Sequence, residues 1–527
     1  MGIGKSLLGS RMKKIFARVL FLFVAGAYAQ SCSLMGGKDK SVGASQEIHA
    51  SQPQPEVWFK GNVDEAFKIA KKDKKMVFLY WGAVWCPPCN ELKQQIFSKP
   101  RFAELMTNFV PVYLDGDTEA AQIWGEKFQA SGYPTVLILD ENQKELFRLS
   151  TVLSIEEFDG AVQSVLASSG SLERAASAVM ESRAKHKDLL VLAYSSWDQL
   201  PEAQWPASRR INLMEQAFES AETSPEKSIF GSQWITQLVN EKTKLSEKLL
   251  QRVFAAIFTD NESIWASREF IKYQAGAVAE WTGWKPGDQK YVFLRSEWLK
   301  AAAQLESHPS ASVSSKLWSV NPEIEFYKYE HPNEALPKNL ISKVEIAARH
   351  ADEEAKSEYD RHSVISDAAY LLRQVGSFDK GRELLKAELL KTNTPWYYEG
   401  ALSGLENQAG RPEEAKKWSS AARKSVQGRA SKVQWITSDL LLNAKDTKNG
   451  VYVAEIARAF YEQTMKLRDG FSGRNWMRAK KVQEALEPFK GEVLFKKIFT
   501  DFAPSCEKTQ IGESKKNCAE HFAALKS

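Results

Sequence analysis

Two cysteines separated by two prolines, Trp85-Cys86-Pro87-Pro88-Cys89, stand between the apolar run Met76–Trp81 and a segment of helical pattern, Asn90–Phe97. No other stretch restricts the fold as much. A strand that turns and opens a helix leaves Cys86 at the helix N-terminus, where unpaired N–H groups and the positive end of the dipole favour a thiolate. Cys86 is therefore the candidate nucleophile. Cys89, one turn on, is placed to attack a mixed disulfide formed on Cys86 and to close an internal disulfide. Pro87 and Pro88 donate no N–H and hold φ at about −65°, so stabilisation of the sulfur is expected from the amides of Cys89 and Asn90 on a stiff loop.

Trp-Cys-x-Pro-Cys after a strand resembles the thioredoxin superfamily, and the Cys-Pro-Pro-Cys form is similar to that of tryparedoxins and some bacterial periplasmic members. Ser98-Lys99-Pro100-Arg101-Phe102, with Phe109-Val110-Pro111-Val112-Tyr113-Leu114-Asp115, is similar to the periplasmic C-terminal domain of the DsbD reductase. Gly132-Tyr133-Pro134-Thr135 resembles the cis-proline loop of the family. The resemblance covers residues 58–168. It implies an α/β thioredoxin fold with Cys86 and Cys89 as the catalytic pair. It also implies substrate contact by Trp85, Pro87, Pro88, Tyr133 and Pro134, the backbone before Pro134 pairing with an extended substrate. There is one departure. The family carries a buried Asp six residues before the first cysteine, the proposed proton acceptor for the second thiol, and Tyr80 stands there in this chain. Glu91 is near in sequence, on the helix.

A zinc site is the competing use of paired cysteines, but it needs four ligands, and residues 58–168 hold no third Cys and no His. No metal or other cofactor is expected. Within this stretch the pattern predicts helices over Val63–Lys71 with an Asn62 cap, Phe102–Met106, Thr118–Ala130, and one opened by a capping box at Ser154 and Glu157 and running to about Ala167. Strands are predicted at Met76–Trp81, Phe109–Asp115, Thr135–Leu139 and Glu145–Leu149, the last two as a hairpin.

The N-terminus speaks to compartment. Met12-Lys13-Lys14 precedes an apolar run, Val19–Ala29, that ends in Ala27-Tyr28-Ala29. This reads as an export signal over residues 1–29, or 12–29 if Met12 is the start, because the run is shorter than the roughly twenty residues a membrane span needs. Two readings of Cys32 stand open. Cleavage after Ala29 gives a periplasmic or exported protein with a lone thiol. The context Ala29-Gln30-Ser31-Cys32 also resembles a bacterial lipobox, making Cys32 a candidate lipidation site that anchors the chain to an envelope membrane. Residues 30–57, polar and with Pro53 and Pro55, read as a flexible linker. The remaining cysteines, Cys506 and Cys518, are expected to form a structural disulfide in an oxidising compartment.

At 527 residues the chain has length for three or four domains. A net charge of +5, with basic and acidic residues interleaved, gives no reason to expect a nucleic-acid partner. Beyond Ser168 the strand pattern stops and apolar residues recur at helical spacing, as in Leu249, Leu250, Val253, Phe254 and Ile257. An all-α region is expected, divided as helices over 169–340, repeats over 341–485 and a C-terminal segment over 486–527. The repeats rest on a period of 34: Gly376-Ser377-Phe378-Asp379 with Gly381 recurs as Gly410-Arg411-Pro412-Glu413 with Ala415. This resembles tetratricopeptide repeats, although Glu406 stands where a large apolar residue is usual. The tryptophans of this region, Trp281, Trp284, Trp298, Trp396, Trp418 and Trp435, fit core packing or an aromatic groove, and the histidines, His362 among them, read as surface or cap residues.

Two functions follow as expectations. The first is an exported thiol–disulfide oxidoreductase acting on thiols and disulfides of envelope proteins. A thiol electron donor or acceptor would serve it, and its helical region would recruit partners. The second is a helical-repeat interaction or scaffold protein of the cell envelope whose thioredoxin-like module is not catalytic.

Overall fold

The computed structural model describes residues 57–130, 132–168 and 171–526. The export signal, Cys32 and the linker up to residue 56 lie outside them. Helix α1 (Val63–Asp73) opens on Asn62, whose side chain and Glu65 satisfy each other's backbone amides. It leads into strand β1 (Met76–Gly82). Pro87 and Pro88 occupy the first turn of α2 (Pro87–Leu92), where a missing N–H costs nothing, and α2 runs on into a π-helical turn, Lys93–Phe97. Then follow α3 (Pro100–Met106), β2 (Phe109–Asp115), α4 (Glu119–Lys127), β3 (Thr135–Leu139), β4 (Glu145–Leu149) and α5 (Ile155–Ser168). The four strands match their predicted bounds to within a residue. Helix α4 ends three residues early, and Gln129 turns the chain with a positive φ.

The sheet order is β2-β1-β3-β4, with β1 parallel to β2 and the other neighbours antiparallel. Both faces of β1 are buried, which is why its sequence is apolar throughout. Val77, Leu79 and Trp81 pack with α1 and α4, whereas Phe78 and Tyr80 face α3, α5 and the π-helical turn. The outer edges are covered. The Phe59 amide bonds the Pro111 carbonyl of β2 at 2.7 Å, and the Ser196 amide bonds the Arg148 carbonyl of β4 at 3.0 Å.

Among the described residues every regular element after β4 is a helix. The core under α5 continues without a break through Trp197, Trp205, Trp234 and Trp298 as far as Phe326. Between α5 and this layer, the buried Arg268 forms a two-pronged ion pair with the partly buried Glu157 at 2.6 and 2.8 Å. The 34-residue spacing appears as two helix pairs, Glu358–Gln374 with Phe378–Leu389 and Pro395–Gln408 with Pro412–Ser425. Gly376 and Gly410 make the turns within them at φ +80° and +74°. Glu406 is 2% exposed because Arg382 and Arg411 bind its carboxylate at 2.5 and 2.7 Å. Trp281, Trp298, Trp396 and Trp435 are buried and Trp284 and Trp418 partly so, in the manner of core residues.

Candidate redox site

Cys86 and Cys89 are joined as a disulfide, with Cα atoms 5.2 Å apart. Cys86 is the N-cap of α2, and its sulfur accepts the Cys89 amide at 3.3 Å. The Asn90 amide takes a different partner from the one the sequence suggests. It donates to the Cys86 carbonyl at 3.1 Å, as the fourth residue of a helix must once the helix opens at Pro87, so one amide addresses the sulfur. The Asn90 side chain braces the loop from beneath, donating to the Val84 and Cys86 carbonyls at 2.8 and 2.9 Å.

Opposite the pair lies the bend before β3, where the Tyr133–Pro134 bond is cis. Trp85 and Tyr133 pack on the Cys86–Cys89 cluster, ring centroids 6.2 Å apart. Pro87 and Pro134 are buried and Pro88 half-buried. Tyr80 lies flat against Tyr113 and edge-on to Phe97, and its buried hydroxyl has no hydrogen-bond partner among the described residues. Glu91 turns away from its own domain: Ser312 Oγ donates to its carboxylate at 2.5 Å. Burial pushes that carboxylate above its ordinary range, against the pull of Lys272.

The residues that pack around this site from outside are far off in sequence. Tyr397 stacks on the Trp85 indole at 5.9 Å. The indole N–H donates to Asp117 Oδ2 at 3.1 Å, and Asp117 Oδ1 accepts the Ser431 amide at 3.0 Å. Burial raises the pKa of Asp117, while these hydrogen bonds pull it down. Gly428 permits this approach: its φ is +82°, and a Cβ there would stand 2.3 Å from Asp117 Cγ. Arg474 covers the Tyr133 ring at 4.6 Å and donates to its hydroxyl at 2.9 Å, while that hydroxyl donates to the Gly116 carbonyl at 3.0 Å. One turn on, Arg478 binds Gln434 and Asn475, its pKa lowered to about 10 by burial and by Arg474.

His362 is buried, contrary to the surface reading, and its Nδ1 lies 3.2 Å from the Val84 carbonyl. A carbonyl only accepts, so Nδ1 carries the proton and Nε2 accepts from Thr392 at 3.3 Å. Burial lowers its pKa, in keeping with that neutral form. No local signal marked His362, Tyr397, Ser431 or Arg474. Their role exists through the packing of one region on another.

Residues 63–166 match the family described as a thioredoxin-like domain. Among curated proteins the chain is similar to thioredoxin H5 of Arabidopsis thaliana, 31% identical over 87 residues, and to thioredoxin H3 of the same plant, 29% over 80 residues. These matches cover 16% and 15% of this chain and 64% and 63% of the relatives, slightly under two thirds of their length. A solved solution structure of a thioredoxin from Thermus thermophilus is 25% identical, covering 20% of this chain and 84% of that one, at a TM-score of 0.19. The N-terminal module is thus a thioredoxin-like α/β domain carrying a Cys-x-x-Cys pair, and a long all-helical region follows it.

Elsewhere, Cys506 and Cys518 form a second disulfide, both buried, which ties the short helix Ser505–Thr509 to the last helix, Gly512–Lys526. Among the described residues no three His, Cys, Asp or Glu side chains gather as a cation site, and no helix is long and apolar enough to cross a membrane.

Proposed function

We propose that this protein is a thiol–disulfide oxidoreductase that cycles Cys86 and Cys89 between dithiol and disulfide against cysteines of exported proteins. The observation that carries the reading is the Cys86–Cys89 disulfide at the start of α2, its first sulfur receiving a helix amide, facing the Tyr133–Pro134 bend. Such an amide stabilises a thiolate on Cys86, and Cys89 resolves the mixed disulfide from within the same turn. Of the expected contact residues Trp85, Pro87, Pro88, Tyr133 and Pro134, substrate in this reading meets Pro88 and the rims of Trp85 and Tyr133, because Pro87 and Pro134 are buried. The charged start and apolar run of residues 12–29 support export, with Cys32 as either a lone thiol or a lipid anchor. The close approach of the helix pairs around Gly381 and Ala415 supports tetratricopeptide-like repeats that recruit partners, since a Cβ on Gly381 would meet Leu405 at 2.7 Å.

The test is the reduction potential of the pair in a Cys32→Ser background, by equilibration with glutathione buffers. A value near about −270 mV makes the protein a reductase, and one near about −120 mV a disulfide donor. A pair that never cycles overturns the proposal and leaves the function to the helical region. That scaffold reading has one observation of its own: the helical region grips the redox site on several sides.

A further inference from the structure

We propose that the helical region is a filter on the redox site, admitting small thiols and extended, flexible cysteine-bearing segments while holding off the surfaces of folded proteins. This rests on the oxidoreductase reading above. Thiol–disulfide exchange requires a thiolate to approach a sulfur in line with the bond it breaks. Here Cys86 is 3% exposed and Cys89 is 0%. Trp85 and Tyr133 pack on the pair, and the helical region holds both in place. Tyr397 lies on Trp85, the Ser431 amide holds Asp117 and through it the Trp85 indole, Arg474 holds Tyr133, and His362 holds the Val84 carbonyl. Val84 is 41% exposed and Pro88 half-buried, so the approach that remains runs along the Val84–Pro88 edge of the loop. Approach along one loop edge suits a single extended chain or a small molecule. A folded partner needs the ground around the sulfur cleared, and here that ground is filled by fixed aromatic rings.

A donor thiolate attacks Cys86 Sγ, a bond forms between donor and Cys86, and the Cys86–Cys89 bond breaks, Cys89 leaving as a thiolate that takes up a proton. A second thiolate, of the same dithiol donor or of a second glutathione, attacks the donor sulfur of that mixed disulfide, releasing Cys86, which takes up the other proton. The two donor thiols become a disulfide, and their two electrons reduce the Cys86–Cys89 pair.

The experiment uses the full oxidised chain and follows its reduction by glutathione, by an unstructured peptide with two cysteines, and by a folded, reduced thioredoxin. Two variants loosen the cover from the helical side. Tyr397→Ala removes the stacked ring. Ser431→Pro removes the amide that holds Asp117, together with the serine hydroxyl, at a first-turn helix position where proline is tolerated. The expected result is a rise of about tenfold in the rate with the folded donor, and a change below about twofold with glutathione and the peptide, in whichever variant folds. Equal changes for all three donors, or none, overturn the filter. Failure of the redox reading looks different: tris(2-carboxyethyl)phosphine reduces the pair, yet no thiol donor exchanges with it in any variant.

Discussion

Tyr80 occupies the position at which the sequence departs from the pattern it resembles, and the structure gives that departure a physical content. The ring fills apolar space between Tyr113 and Phe97, but its hydroxyl is buried without a partner. A buried hydroxyl that makes no hydrogen bond opposes folding. Tyr80→Phe is therefore expected to raise stability by up to about 1 kcal/mol, read from urea unfolding, and a loss of that size would refute it. A second residue-scale effect lies behind α2. Asp367 accepts the Trp318 indole N–H at 2.8 Å, and its pKa is pushed up to about 7 by burial and by Glu91, against that hydrogen bond and Lys272. Tyr273, Tyr397 and Tyr398 share its field, and Glu269 pairs with Lys272. Because the folded pKa stands above the ordinary value of about 3.9, the folded chain keeps a proton that the unfolded chain has released, and stability falls as pH rises between the two. Asp367→Asn should flatten the decline of the thermal midpoint between about pH 4 and 7. The Tyr80 departure was visible in the sequence. The meeting of Glu91 with Asp367 was not, since 276 positions separate them and neither sits in a motif.

At the scale of single elements, local chemistry carried far. The Asn62 cap and the Ser154 capping box formed as written, the apolar period placed all four strands, and the Cys-Pro-Pro-Cys turn opened α2. The start of α2 is the exception, since prolines that the pattern treats as loop are good first-turn residues. Glu406 shows how an apparent mismatch resolves: two arginines from neighbouring segments make an apolar side chain unnecessary. Removing one partner of a buried ion pair leaves the others unpaired, so Glu406→Gln should cost about 3 kcal/mol in chemical unfolding. A cost below about 1 kcal/mol would mean that water replaces the carboxylate.

The whole molecule is held by contacts that bridge its two regions. Arg268 and Glu157 are 111 positions apart, and between them they tie α5 to the helical layer. Burial works to raise the pKa of Glu157, and the Arg268 guanidinium overrides it, leaving the carboxylate below its ordinary value. A depressed folded pKa gives stability that is full above the ordinary carboxylate range and is lost as pH falls below it. Arg268→Met should lower stability near neutral pH by roughly 3 kcal/mol, and the deficit should shrink as pH falls through the carboxylate range, as thermal midpoints across acid pH would show. What the sequence determined by itself was local: the periods that form strands and helices, the caps that end them, and a cysteine pair whose spacing puts a sulfur at a helix start. Those features depend on residues a few positions apart. The cover over that pair was decided by tertiary structure, because Tyr397, Ser431, Arg474 and His362 meet Trp85, Asp117, Tyr133 and Val84 only when the burial of a shared core brings the helical region against the sheet. Burial is non-directional, and no short-range pattern in the chain records where it will place distant side chains.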